Sequence, residues 1–228
     1  MADRDYPPLF FLKHEGQSQW LIRKAIERHG DTVTFEPVPW KRCLNGLRTG
    51  KFSAAFPVAS NSNFLSVYAF PLVAGKVDSK RKLAHVNHMI MRKKLSKTYW
   101  DGKKFTKPSS PNILTPSGIV INMKSLADLG IVGSESAQHE DQIFRMLSLG
   151  RADLAIIQQS IAEDLLQKDE FKNKLEILPI PFISFDLYLV FSKSFYKKES
   201  VFSEAIWNEL KLLRSSPEWK KLSPTLAH

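Results

Sequence analysis

Cysteine is nearly absent from this chain. Cys43 is the only one in 228 residues, which excludes an internal disulfide and any cysteine-rich zinc site. On a helix expected to begin near Trp40, it lies three residues after Trp40 and four before Leu47. That is the apolar face, so Cys43 reads as a small buried hydrophobe and not a nucleophile. Long apolar runs are missing too. The longest, such as 182 to 191, are broken by Ser184 and Asp186 and fall far short of the roughly 20 apolar residues of a membrane span. There is no GxGxxG, GxxxxGK[ST] or GxSxG, so dinucleotide binding, P-loop phosphate binding and a nucleophile elbow have no support. The histidines are scattered. His85 and His88 fall three apart in an expected strand and so on opposite faces. His14, His29, His139 and His228 are far apart in sequence. All are expected to be exposed or capping, with no metal bound.

Positive charge is abundant and uneven. The formal net charge is +10, and residues 76 to 107 carry eleven Lys and Arg against Asp78 and Asp101. Such a block suits nucleic acid, an anionic surface or an acidic partner. Only Tyr99, Trp100 and Phe105 accompany it as stacking residues, and no helix-turn-helix or RNA-binding signature is present. Nucleic acid is therefore not expected as a partner.

The chain alternates apolar strands with amphipathic helices. A strand is predicted at 8 to 13, a helix at 17 to 29 closed by Gly30, and a β-branched strand at 32 to 38. A helix follows at 40 to 48, stopped by Gly50, and a strand at 53 to 58. A further strand at 83 to 91 leaves this unit, and Pro108 to Pro111 punctuates the chain. A second series then runs through a strand at 112 to 116, a helix at 119 to 129, a short strand at 131 to 132 and a helix at 140 to 149. It closes with a strand at 153 to 157 and a helix at 161 to 167. This order predicts an α/β fold in two layered units with parallel sheet.

In open parallel sheets ligands collect beyond the carboxyl ends of strands. Those ends here are Ser60, Asn61 and Ser62 in the first unit, and Thr115, Ser117, Gly118, Gln158 and Gln159 in the second. All are small or polar. Ser117 either caps the following helix or, with Gly118, offers backbone N–H groups to an anion. Glu140 and Asp141 open a helix and read as dipole-stabilising residues. Tyr6, Trp40 and Phe70 lie near strand ends or connections of the first unit, where flat side chains can wall a small ligand.

The segment Pro39-Trp40-Lys41-Arg42-Cys43-Leu44, continuing through Leu47, Gly50, Lys51, Phe52, Ser53 and Ala54, resembles the PW-x-R-x-L-x-x-L-x-x-G-x-x-D/S-A motif of the type II periplasmic solute-binding proteins of family 3, the amino-acid receptors of ABC importers. Tyr68-Ala69-Phe70-Pro71 is similar to that family's F-S-x-P-Y segment, and Met146-Leu147 with Gly150-Arg151-Ala152-Asp153 is similar to its L-x-x-G-R-x-D segment. The closing helix at 202 to 213, before Ser216-Pro217-Glu218-Trp219, resembles its C-terminal helix. The resemblance implies two Rossmann-like lobes joined by two crossing hinge strands, at 83 to 91 and 185 to 191. Lobe I would comprise 3–91 plus 188–222, and lobe II 92–187. It further implies a monomeric, non-catalytic protein without a cofactor. Such a protein would be exported to the periplasm with its signal peptide removed, would close by hinge motion on a small-molecule ligand, and would serve a transporter permease or a sensor.

Departures from the family bear on the ligand. The resemblance implies an Arg shortly after the third strand for a ligand α-carboxylate, where this chain has Ala59-Ser60-Asn61-Ser62-Asn63-Phe64. It implies an Asp for the α-ammonium, where this chain has Gln158 and Gln159. A standard α-amino acid is therefore not the expected cargo. Arg42 is either a replacement cation or a structural residue of its helix. Two other readings stay open: a dehydratase-like enzyme on the same fold, with Glu15 or Glu163 as acid or base, and a basic interaction module that uses the 76 to 107 segment.

Overall fold

The computed structural model describes residues 5–137 and 139–227, with the backbone alone for Ser62, Ser136 and Ala227. The chain divides into two compact units, one made of residues 1–85 and 186–228 and the other of 86–185. Two strands, Ala84–Lys93 and Ile183–Ser192, run from one unit into the other.

In the second unit, the parallel strands Ile113–Pro116, Gly133–Ala137 and Leu154–Gln158 lie side by side, the first of them between the other two. Leu154–Gln158 pairs antiparallel with Ala84–Lys93, in a register that places Gln158 opposite His88 and Leu154 opposite Arg92. All five residues of Leu154–Gln158 are buried. Strand pleating explains how. Leu114, Met91, Ala155 and Ile157 point into one apolar cluster, while their neighbours Ile113, Ile90, Leu154 and Ile156 point into another. One cluster is closed by Ile143, Phe144 and Leu147 of helix Glu140–Ser148. The other is closed by Leu126 of helix Val120–Asp128 together with Trp100 and Phe105. A sheet covered on both faces must be apolar on both faces, and this one is.

In the first unit, strand Ala54–Ala59 pairs antiparallel with Ile183–Ser192, with Ala54 opposite Phe191. Helix Trp40–Thr49 lays Cys43 and Leu47 on this sheet, in a cluster with Val58, Tyr68, Tyr188 and Val190, and Gly50 ends the helix at φ 77°. Helix Gln17–Glu27 packs against helix Ser200–Ser215. The latter buries Ser203, Ile206, Trp207, Leu210 and Leu213, a stripe at helical spacing. Asp186 accepts from Lys82 Nζ and is paired with His85 Nδ1, both at 2.7 Å.

Several sequence expectations are corrected. Residues 8 to 13 form no strand; Tyr6 and Phe10 make one isolated bridge around a turn. Pro7 and Pro8 supply no N–H for a ladder. The Gln19 side chain stands in for a neighbouring strand, its Oε1 accepting from Phe11 N at 3.0 Å and its Nε2 donating to Phe11 O at 3.1 Å. Residues 32 to 38 are likewise outside any strand. Pro37 and Pro39 supply no N–H there for a ladder. The strand expected at 131 to 132 begins at Gly133, and the helix expected at 161 begins at Gln159. The fold class stands: a mixed α/β protein.

Candidate functional site

At the carboxyl end of the second unit's parallel strands, the apolar pattern stops in step on four elements. Two residues beyond Ile113 comes Thr115, and two beyond Ile156 comes Gln158. Two before Ile90 on the antiparallel strand comes His88, and one helical turn before Leu126 comes Asn122. Strand pleating and helical spacing therefore carry all four onto one face, as a polar lid on an apolar core. Every one of them is buried.

Three of these groups, Thr115, Asn122 and His88, bond to one another. Asn122 Nδ2 donates to Thr115 Oγ1 at 2.9 Å, so its Oδ1 faces His88 Nδ1 at 2.6 Å as an acceptor. His88 thus carries its proton on Nδ1. Burial pushes its pKa down, against the smaller opposing effect of the Asn122 hydrogen bond, so the ring is neutral at physiological pH. The Phe185 ring meets it edge-on, centroids 5.1 Å apart. The imidazole is fixed from two sides.

A second chain of polar groups lies alongside. Ser184 Oγ donates to Asn87 Oδ1 at 2.7 Å, Asn87 Nδ2 donates to Gln159 Oε1 at 2.9 Å, and Gln159 Nε2 donates to Glu163 Oε1 at 2.8 Å. Gln158 Nε2 donates to Ser160 Oγ at 3.1 Å. Gln158 closes its strand and Gln159 opens the next helix, so the two amides leave the sheet in different directions. Ser117 is not the cap of the following helix: Val120–Asp128 starts three residues later, with Ile119 at its N-cap position. Gly118, at φ 83°, donates its N–H to Glu135 Oε1 at 3.2 Å. The backbone donor open to an anion in the sequence reading therefore already holds a carboxylate of this chain.

Candidates of the first unit are more dispersed. Ser60 is exposed, and Asn61 caps helix Ser62–Val67 by accepting from Phe64 N at 2.9 Å. The Ser62 side chain lies outside the described residues. Tyr6 and Trp40 are half-buried, Arg42 is exposed on its helix, and Phe70 is fully packed, edge-on to Tyr188. A cavity of about 390 Å³ lies elsewhere in this unit, between residues 31 to 36 and a wall that includes Phe52, Phe56 and Phe191. Glu15 is gripped by Arg23 through both oxygens, at 2.6 and 2.8 Å, which raises the Arg23 pKa.

Sequence reading missed His88, Asn122, Asn87 and Ser184. The signal for His88 was present, since His88, Ile90 and Arg92 alternate with Met89 and Met91 in one strand, and a polar residue breaking an apolar stripe is a candidate. His88 is also a correction, being buried where an exposed or capping histidine was expected. Among the described residues no cluster of three or more His, Cys, Asp or Glu side chains is placed to hold a metal ion.

Solved structures match over nearly the whole chain. A probable extracellular-binding protein of an amino-acid ABC transporter from Bacillus subtilis, ytmK, aligns at TM-score 0.72 and 18% identity, covering 99% of this chain and 96% of its own. The chain has the type II periplasmic-binding fold. A histidine kinase sensor domain with similarity to periplasmic binding proteins shares it at TM-score 0.68 and 16% identity, over 99% of this chain and 93% of its own. So does AbpA, an amino-acid ABC transporter substrate-binding protein from Streptococcus pneumoniae bound to L-arginine, at TM-score 0.69 and 16% identity, over 99% and 92%. No family model matches the chain, and no curated protein matches it. On this periplasmic-binding fold, the polar lid built by Thr115, Asn122, His88 and Gln158 stands at the carboxyl ends of the strands, where open α/β sheets bind ligands.

Proposed function

We propose that this chain is a non-catalytic solute-binding protein whose two units are the lobes of a binding fold, working outside the cytoplasm with an importer or a sensor. Its neighbours in fold are binding proteins and a sensor domain, and no helix among the described residues is long and apolar enough to cross a membrane. The second unit contributes Thr115, Ser117, Gly118, Gln158 and Gln159. The first contributes Ser60, Asn61 and Ser62, with Tyr6, Trp40, Arg42 and Phe70 around them, and hinge closure of the lobes over the solute belongs to the same proposal.

The solute is a small polar molecule that is uncharged or bears an amine, and not a standard α-amino acid. One observation carries this reading: the Gly118 N–H is taken by Glu135, so the donor best placed for a ligand carboxylate is engaged. The second unit's other polar groups include the bonded amides of Asn87 and Gln159, the carboxylate of Glu163 and the neutral His88 imidazole. Amides both donate and accept, which suits hydroxyl, amide or amine groups. Native mass spectrometry of the purified protein, followed by a thermal-shift screen of amines, sugars, amino acids and organic acids, tests it. Stabilisation by mass action is the readout. A set of hits confined to α-amino acids or dicarboxylates would overturn the ligand assignment.

A further inference from the structure

The basic segment has no part in the proposed solute site, and the fold separates the two. Gln158 and His88 pair at one end of the second unit's central strands, while Leu154 and Arg92 pair at the other. The segment that follows Arg92 emerges at that opposite end as a short loop, Lys94 to Lys97, before the Tyr99–Trp100 strand.

Three contacts gather more charge around this loop. Lys94 N donates to Lys174 O at 2.8 Å, which brings Lys174 alongside. Thr98 Oγ1 donates to Lys107 O at 3.1 Å, which brings in Lys107. A Cβ on Gly150 would lie 3.9 Å from Lys93 Nζ, so the turn carrying Leu149, Gly150 and Arg151 adjoins. Ser96 N donates to Lys93 O at 3.1 Å and folds the loop back on itself. Lys93, Lys94, Lys97, Lys107, Arg151 and Lys174 are all exposed. None of these six joins an ion pair among the described residues.

At the loop tip stands Leu95. It is 97% exposed and held at φ 67°, a region that branched and bulky residues avoid. Leu149, on the adjoining turn, is 68% exposed. Two bare aliphatic side chains among lysines match a surface that is anionic outside and apolar beneath. We propose that this end of the second unit docks on a membrane surface rich in anionic lipid headgroups, with the lysines held by headgroup charge and Leu95 entering the acyl boundary.

The residue types favour lipid over nucleic acid. Arginine is the side chain suited to bidentate phosphate recognition, yet Arg92 is committed to Glu176 Oε1 and Thr98 O, both at 2.7 Å. Five of the six free bases are lysines, point charges suited to a diffuse field. Of the segment's three aromatics, Trp100 and Phe105 are buried against each other, with centroids 4.5 Å apart, and offer no face for base stacking, which leaves Tyr99 alone exposed.

Co-sedimentation with vesicles tests the proposal, using equal parts phosphatidylglycerol and phosphatidylcholine against phosphatidylcholine alone. The full chain is expected to sediment with the anionic vesicles only, and to be released as salt rises from about 50 to about 500 mM. Lys94→Glu with Lys97→Glu should weaken binding by about tenfold or more, each lysine near the surface being worth roughly a fivefold factor. Leu95→Asn keeps a residue tolerant of positive φ while removing the apolar tip, and should weaken binding severalfold. Urea unfolding of both variants should match the parent. Absence of sedimentation at low salt, equal binding to both vesicle types, or indifference to Leu95→Asn would each overturn the proposal. Stronger binding to a single-stranded oligonucleotide, with Leu95→Asn neutral, would reassign the face to a polyanion.

Discussion

Replacing Asn122 with Ala tests the polar lid at its keystone. Asn122 is buried and bonds at once to His88 Nδ1 and Thr115 Oγ1, so the substitution strands a buried imidazole N–H and a buried hydroxyl. Each unsatisfied buried polar group costs about 1–3 kcal/mol, so Asn122→Ala should lose about 3 kcal/mol or more in urea unfolding. The pH dependence sharpens the test. The folded pKa of His88 is depressed, chiefly by burial, so below the unfolded value of about 6.5 the unfolded chain binds a proton that the native state refuses. The contribution of His88 is complete above that value and is lost as pH falls through it, at up to about 1.4 kcal/mol per pH unit. Asn122→Asp places a carboxylate on the same nitrogen and should raise the folded pKa above the unfolded one. The His88 contribution then appears at low pH and is lost as pH rises, which reverses the slope. A loss under about 1 kcal/mol for Asn122→Ala, or no change of slope for Asn122→Asp, would refute the network as described.

Other consequences can be measured directly. Gln158→Ala or Ser60→Ala should abolish ligand-induced thermal stabilisation while leaving the unliganded protein folded; normal binding by both variants would show that the solute sits elsewhere. Glu135→Gln should release the Gly118 N–H from its carboxylate partner and raise affinity for carboxylate-bearing solutes in the same assay, and no gain would mean that this donor does not face the ligand. Burial alone would raise the Asp186 pKa, but hydrogen bonds from Lys82 and His85 outweigh it and hold the carboxyl below its usual range. Its stabilisation is therefore present above the ordinary carboxylate range and lost as pH falls through the folded value, so Asp186→Asn should flatten acid unfolding below about pH 4. Gly50→Ala sets a side chain at φ 77° with its Cβ 2.8 Å from Ser194 Oγ and should cost about 1–2 kcal/mol in urea unfolding.

Much of this architecture was legible in the residue pattern, because strands buried on both faces leave an unmistakable trace. The run Leu154 to Ile157, ended by two glutamines, reads directly as a central strand stopping at a polar mouth, and the helices ended by Gly50 and Gly150 mark the joints. The absence of a strand at 8 to 13 was not legible because Leu9, Phe10 and Phe11 are as buried as any strand residue, yet the Phe11 backbone is served by the Gln19 side chain instead of a ladder. The 32 to 38 segment has β-branched composition but no partner to pair with, and pairing is a tertiary fact that composition does not carry. His88 and Asn122 escaped for a related reason. Each is one polar residue on its own element, and only the register between His88 and Gln158, together with the seating of the Asn122 helix, brings them to one place.

The identity of the solute decides the central claim most directly. A thermal-shift screen across amines, polyols and sugars, α-amino acids and dicarboxylates, repeated on Gln158→Ala, is the measurement. The account predicts stabilisation by an uncharged or amine-bearing polar solute and loss of that stabilisation in the variant. Tight binding of a dicarboxylate or a standard α-amino acid, undiminished in Gln158→Ala, would contradict it.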